Sequence, residues 1–199
     1  MNLPNKITIF RIILIPVFIC FAIAYSDSLE SDSEKVWLRV AALLSFALAS
    51  ISDALDGFLA RHYHTKTSFG RTLDPVADKL LLLAGIVTLS LTHWQPGLPL
   101  WFGFLVIGRD LIIVAGVLFI RGRIGQVKMK PIWSGKICTA LQLSCVCWVL
   151  LDVWSQETRP VTLSVLIYLA ALFTLISGLQ YIWNGRCQLK NSSHHASES

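Results

Sequence analysis

Four aspartates stand in two pairs at helical spacing, Asp53 with Asp56 and Asp74 with Asp78. Residues three or four apart share one face of an α-helix, so each pair aims two carboxylates the same way. The pairs lie at facing ends of consecutive apolar stretches joined by a short polar segment. The helices that carry them must run antiparallel, which brings all four carboxylates to one depth. At 1.5 Å per residue, Asp53 lies about 12 Å along its helix from Arg61. Four anions in so small a space repel one another, and bound cations relieve that repulsion. All-oxygen ligands select hard metals such as Mg²⁺ or Mn²⁺. The alternative, in which each aspartate is paired with a base, has only Arg61, Arg71 and Lys79 to draw on. Gly57, next to Asp56, lets another group approach the backbone closely. Carboxylates of this kind at a membrane rim suggest chemistry on a phosphorylated substrate with a lipid tail.

The elements that position these residues are apolar helices. Of 199 residues, 54% are hydrophobic and only 15% charged, whereas a soluble domain carries roughly a quarter charged residues. The apolar content excludes disorder. The net charge of +5 is gathered in a few loops rather than along a face, which argues against a nucleic-acid partner. About 20 apolar helical residues cross ~30 Å of hydrocarbon. Six stretches qualify, 7–25, 36–60, 73–93, 98–120, 134–154 and 161–184, and predict an all-α integral membrane protein of six transmembrane helices. Residues 1–186 read as one helical domain and 187–199 as a flexible polar tail. His194 and His195 in that tail read as solvated, as do His62 and His64. Asp53 and Asp56 near the end of the second span, and Arg109 and Asp110 inside the fourth, are expensive in lipid and should face a protein-lined cavity. Trp37, Trp94, Trp101, Trp133, Trp154 and Trp183 fall near span ends, where an amphipathic ring prefers to sit. Ala22-Ile23-Ala24 resembles a signal-peptide cleavage site, but Arg11 and Pro16 interrupt the preceding apolar run, so the first helix is expected to stay. Five cysteines without a CxxC pair read as small apolar membrane residues rather than as a disulfide framework or zinc site.

Lys and Arg set the orientation. Loop 61–72 carries Arg61, Lys66 and Arg71, and loop 121–136 carries Arg121, Arg123, Lys128, Lys130 and Lys136, neither with an acid. Loop 26–35 is acidic, 94–97 is uncharged, and 155–160 balances Glu157 with Arg159. The positive-inside rule then places both termini and the two basic loops in the cytoplasm. Ala42, Ser45, Ala49, Asp53, Asp56 and Ala60 recur at steps of three or four and give the second span a narrow face. Its first part, Ala42 and Ser45, reads as helix packing. Asp74-Pro75 reads as an N-cap with proline at the first helical position. Arg109 and Lys136, with Lys128 and Lys130 nearby, make a basic lining that suits an anionic acceptor, although the latter two serve equally as positive-inside charge.

The stretch Asp56-Gly57-Phe58-Leu59-Ala60-Arg61, eight residues, Gly70, three residues, Asp74, three residues, Asp78 resembles the signature of the CDP-alcohol phosphotransferases, D-G-x2-A-R-x8-G-x3-D-x3-D, at every fixed position. Asp53 matches the additional aspartate common three residues upstream. Pro4-Asn5, Thr8 and Arg11 resemble the P-N-x-x-T-x-x-R opening of the phosphatidylglycerophosphate synthase branch. Trp133-Ser134-Gly135-Lys136-Ile137-Cys138-Thr139 resembles its W-x-G-K-x-K-T, with Cys138 replacing the second lysine.

The resemblance implies the CDP-alcohol phosphotransferase fold in a bacterial inner or cell membrane, with the active site on the cytoplasmic side. It implies transfer of a phosphatidyl group from CDP-diacylglycerol to an acceptor alcohol with release of CMP. Position by position, Asp53, Asp56, Asp74 and Asp78 would hold two divalent metal ions, Mg²⁺ or Mn²⁺, with Asp78 also the general base. Gly57, Ala60 and Arg61 would border CDP-diacylglycerol, and Gly70 would shape the loop. Arg109 and Lys136 would take the acceptor, glycerol 3-phosphate in the first reading. Arg109-Asp110, where Arg-Glu is usual, and Lys130-Pro131 are closer to cardiolipin synthases of the same fold, whose acceptor is phosphatidylglycerol. A homodimer stays open. From another class, an ion or carboxylate transporter would place its ionisable site near the bilayer midplane, with helix breaks recurring in both halves, and the chain has neither feature.

Overall fold

The computed structural model describes residues 3–31, 35–63, 68–94, 96–124, 133–151 and 159–196; the side chains at 3–7, 53–76, 78, 121, 123–124, 159–160 and 187–196 lie outside that description. The chain forms α1 (Leu3–Glu30), α2 (Val36–Tyr63), α3 (Ser68–Leu91), α4 (Leu100–Ile124), α5 (Trp133–Leu151) and α6 (Arg159–Ala196), with no strand among the described residues. The expected all-helical class and element order are found. The 19 residues of α5 reach about 28 Å and the 28 residues of α2 about 42 Å. Thr8–Glu30, Leu100–Ile120, Trp133–Leu151 and Val161–Arg186 are apolar and long enough to cross a membrane. Among the described residues, α2 and α3 also carry the apolar stretches Val36–Ser52 and Lys79–Leu91.

Two boundaries differ from the sequence reading. Helix α3 starts at Ser68, so Asp74 and Pro75 fall inside it rather than forming its cap. A proline there forgoes one backbone hydrogen bond but leaves the turns on either side helical. Helix α6 continues to Ala196, through most of the polar stretch that begins at 187.

The packing falls into two units, residues 1–100 with 146–159, and 101–145 with 160–199. In the first, α1 packs on α2 and α3, and α2 on α3. Phe18 of α1 meets Phe46 of α2 with ring centroids 5.3 Å apart, and Ala22, Ala42, Ala49, Ile86 and Leu89 are buried around them. Ala42, Ser45 and Ala49, the first part of the small-residue stripe, are all buried, consistent with close helix approach. Gly85 of α3 supports that approach. A Cβ there would stand 3.0 Å from Val146 Cγ1 and 3.1 Å from Phe46 Cε2, tighter than ordinary packing.

One end of this unit is tied by polar contacts that the sequence reading did not anticipate. Arg39 of α2 donates from Nε to the Leu150 carbonyl and from Nη2 to the Val149 carbonyl, each at 3.2 Å. These are among the last carbonyls of α5, which have no partner within their own helix, and a cation there also suits the helix dipole. The same guanidinium lies over the rings of Tyr25, 5.9 Å away, and Trp94, 5.7 Å away. Trp94 is buried and donates from Nε1 to the Ala22 carbonyl at 3.1 Å. Trp37, Trp101, Trp133 and Trp183, by contrast, are exposed, as expected of rings at the membrane interface. Beside Trp94, the His93 amide donates to Ser26 Oγ at 2.9 Å, and Leu98 N to the Leu89 carbonyl at 3.1 Å.

The second unit comprises α4, α5 up to Cys145, and α6. Phe102 and Val106 of α4, Cys138 and Cys145 of α5, and Ile167 and Ala170 of α6 are buried. Cys20, Cys138, Cys145 and Cys147 are free thiols, in keeping with their reading as small membrane residues; Cys187 lies outside the described side chains.

Replacing Arg39 tests the first unit. Hydrogen bonds to a charged group contribute about 1.5–3 kcal/mol, so Arg39→Ala should lower the detergent unfolding midpoint measurably. Arg39→Lys should recover only part of the loss, because an ammonium cannot reproduce the fork that spans two carbonyls. An unchanged midpoint in Arg39→Ala would show that the cap adds nothing.

Candidate active site

The signature residues fall on the adjoining ends of two packed helices. Asp53, Asp56, Gly57, Ala60 and Arg61 lie in the last turns of α2, and Gly70, Asp74 and Asp78 in the first turns of α3. Four residues, 64–67, separate the helices in sequence, and the helices are in contact. The side chains of all eight residues lie outside the described set. The helical registers leave the expected spacing intact, three residues within the first aspartate pair and four within the second. Among the described residues no group of three or more His, Cys, Asp or Glu gathers to hold a metal. The donor set that suits one is the four aspartates themselves, whose oxygens fit a hard divalent cation.

Helix α1 brings Thr8 and Arg11 into the same unit. Both are buried, Arg11 completely, and each interacts with a neighbouring group. A fully buried guanidinium is costly unless its environment compensates it, and it is the largest fully buried side chain among the described residues.

The basic residues expected to take an acceptor lie in the second unit, in unlike settings. The Arg109 side chain is only 9% exposed. It donates from Nη1 to Asp110 Oδ1 and from Nη2 to Ser177 Oγ, both at 2.6 Å, and lies over the Tyr181 ring at 5.7 Å. Its Nε is buried without a hydrogen-bond partner. Small residues on both neighbouring helices make room for it. A Cβ on Gly178 of α6 would sit 3.5 Å from Arg109 Cγ, and one on Gly135 of α5 would sit 3.7 Å from Arg109 Nη2. Lys136, next to Gly135, is exposed, with Nζ 5.5 Å from the Trp133 ring centroid. Arg109 is thus held in place by protein groups, whereas Lys136 presents its ammonium outward.

A polar seam continues from this arginine along α5 and α6. Ser134 Oγ donates to Gln180 Oε1 at 2.5 Å. Gln142 Nε2 donates to Thr174 Oγ1 at 3.1 Å and to Cys138 Sγ at 3.3 Å, and Cys138 Sγ lies 3.2 Å from Thr174 Oγ1. Cys138, the departure from the lysine of the resembled motif, is fully buried in this seam, a position in which a lysine would need a counter-charge. The sequence reading missed Thr174, Ser177 and Tyr181. Their signal was present: polar groups three and four residues apart in an otherwise apolar helix.

Comparison with known proteins identifies the family. The family model described as CDP-alcohol phosphatidyltransferase matches residues 1–176. The CDP-diacylglycerol–glycerol-3-phosphate 3-phosphatidyltransferase of Escherichia coli K12 is 33% identical over 192 residues, which cover 94% of this chain and 97% of that protein. Proteins of the same name from Shigella flexneri serotype 5b and Shigella sonnei match to the same extent. With the whole signature at the joined ends of α2 and α3, and a family match that spans five helices and part of the sixth, this chain belongs to the CDP-alcohol phosphatidyltransferase family.

Proposed function

We propose that this integral membrane protein transfers the phosphatidyl group of CDP-diacylglycerol to glycerol 3-phosphate, giving phosphatidylglycerophosphate and CMP. The observation that carries the reading is the near full-length likeness to an enzyme named for this reaction, joined to an intact aspartate signature. The acceptor's hydroxyl oxygen bonds to the lipid-side phosphorus, the bond from that phosphorus to the oxygen of CMP breaks, and the hydroxyl proton passes to Asp78. Asp53, Asp56 and Asp74, with Asp78, would hold two divalent ions, Mg²⁺ or Mn²⁺, which supply neutralising charge for the diphosphate. Gly57, Ala60 and Arg61 would border the cytidine diphosphate; Gly70, expected to shape the loop, instead lies in the first turn of α3. Arg109 and Lys136 would bind the acceptor phosphate, the first as a pre-oriented fork and the second as a mobile charge. The basic loops support a site on the cytoplasmic side.

Of the features closer to cardiolipin synthases, Asp110 has a local explanation as the partner of Arg109, and Lys130-Pro131 lies outside the described residues. Cys138, the departure from the resembled motif, packs within the α5–α6 seam. The named relatives carry glycerol 3-phosphate in their names. A transporter reading has no support among them.

Purified protein given CDP-diacylglycerol in mixed micelles should release CMP with glycerol 3-phosphate and not with phosphatidylglycerol. Exhaustive EDTA treatment should abolish turnover, and Mg²⁺ or Mn²⁺ should restore it. Turnover with phosphatidylglycerol alone would reverse the acceptor assignment, and activity that survives chelation would remove the metal from it.

The aspartates should separate by role. Asp78→Asn keeps shape but cannot take a proton, and loss of a general base typically lowers the rate ~10²–10⁴-fold; binding of CDP-diacylglycerol should survive. Asp56→Asn should damage both binding and rate. A near-normal kcat in Asp78→Asn would assign the base elsewhere.

The two basic residues should also differ. A charge-assisted contact to phosphate contributes roughly 1.5–3 kcal/mol, so Lys136→Ala should raise the KM for glycerol 3-phosphate by about 10–150-fold while leaving thermal stability alone. Arg109→Ala should raise the same KM and also lower the melting midpoint, because it removes the link to Ser177. Equal losses of affinity for both substrates would place this lining at CDP-diacylglycerol instead.

A further inference from the structure

Between α4 and α6 the second unit carries a cleft of about 170 Å³, lined by Ile112, Ile113, Phe119 and Ile120 on one side and by Tyr181, Ile182 and Arg186 on the other. Two glycines form part of its wall. A Cβ on Gly116 would meet nothing within 4 Å, while one on Gly185 would stand 3.1 Å from Ile120 Cδ1. The cleft is therefore open over Gly116 and close-fitting at Gly185. Its walls are almost wholly apolar. A soluble ligand would need a few placed polar groups for orientation, and no acid lines the cleft to attract a cation. Both walls belong to membrane-length helices, Leu100–Ile120 and Val161–Arg186, so the opening faces hydrocarbon.

Charge and depth narrow the occupant further. Arg186, at the end of the α6 span, is exposed and makes no ion pair among the described residues. Trp183, one turn before it, is 71% exposed, as suits a ring at the headgroup level. From Ile120 to Ile112 the cleft follows α4 inward for about 12 Å. A cation at the interface with a narrow apolar slot beneath it has the polarity of an anionic lipid, headgroup outward and chain inward. A cleft of this volume does not admit a whole helix of a second copy, about 10 Å across.

We propose that the α4–α6 cleft is a binding site for an anionic phospholipid of the bilayer, with one acyl chain in the slot and its phosphate on Arg186. The inner wall of the site is Tyr181, whose ring also carries the Arg109 guanidinium. The bound chain thus packs against the residue that supports Arg109.

Phosphatidylserine is a suitable probe, since neither acceptor reading consumes it. The full-length protein in nanodiscs would be labelled with phosphatidylserine bearing a photoreactive acyl chain, in competition with unlabelled phosphatidylserine or phosphatidylcholine. Crosslinks should map to 112–120 and 181–186, and phosphatidylserine should compete about fivefold better, the effect of one basic residue near an anionic headgroup. Gly116→Leu fills the slot and should remove these crosslinks, with its melting midpoint confirming that it is folded. Arg186→Gln, at an exposed position, should keep the crosslinks and lose the preference for phosphatidylserine. Equal competition by the two lipids, or wild-type labelling in Gly116→Leu, would overturn the proposal. Catalysis with glycerol 3-phosphate is read separately, so a failure of this site leaves the reaction assignment standing.

Discussion

Hydrocarbon offers no hydrogen bond to a polar group, and leaving one unpaired there costs several kcal/mol. That constraint accounts for most of the polar contacts in this protein. Hydroxyls within the spans turn back to their own helix, as Ser45 Oγ does to the Ala42 carbonyl at 2.9 Å and Ser144 Oγ to Ala140 at 2.9 Å. Longer polar side chains cannot do this and reach across to a neighbour. Arg39 finds the exposed carbonyls of α5, Gln142 finds Thr174, and Arg109 finds Ser177. Each pairing fixes one helix against another, so the residues that lipid would reject also set helix register.

The aspartates sit at the other extreme of the same constraint. They stand on the parts of α2 and α3 that adjoin in sequence. The chemistry requires charge and the membrane resists it, so these two helices carry both apolar turns and acidic ones.

Much of this was legible in the sequence because the signals involved are local. Span positions follow from runs of apolar residues, and the aspartate pairs follow from spacing within single helices. The start of α3 was misplaced because Asp74-Pro75 satisfies a capping rule on its own, and residues 68–73 are helical without a marker of comparable strength. The partners of Arg39 and Arg109 were not legible for a different reason. Leu150 and Ser177 lie far along the chain from them, and nothing in a backbone carbonyl or a lone serine marks it as a partner. Cys138 taken alone is only a departure from the resembled motif, and its neighbours Gln142 and Thr174 give it a packing role.

The composition of the first unit bears on how the protein is made. Residues 1–100 pack with 146–159, and two of the links between them, Val146 against Gly85 and the carbonyls of Val149 and Leu150 on Arg39, use the far end of α5. During synthesis, α1, α2 and α3 enter the membrane with the Gly85 notch unfilled and the Arg39 guanidinium without those carbonyls. Both stay so until the ribosome has translated all of α4 and most of α5. The aspartate-bearing helix pair is therefore assembled early and locked late, and a nascent chain arrested before residue 146 would carry every signature aspartate in a bundle that lacks its final wedge.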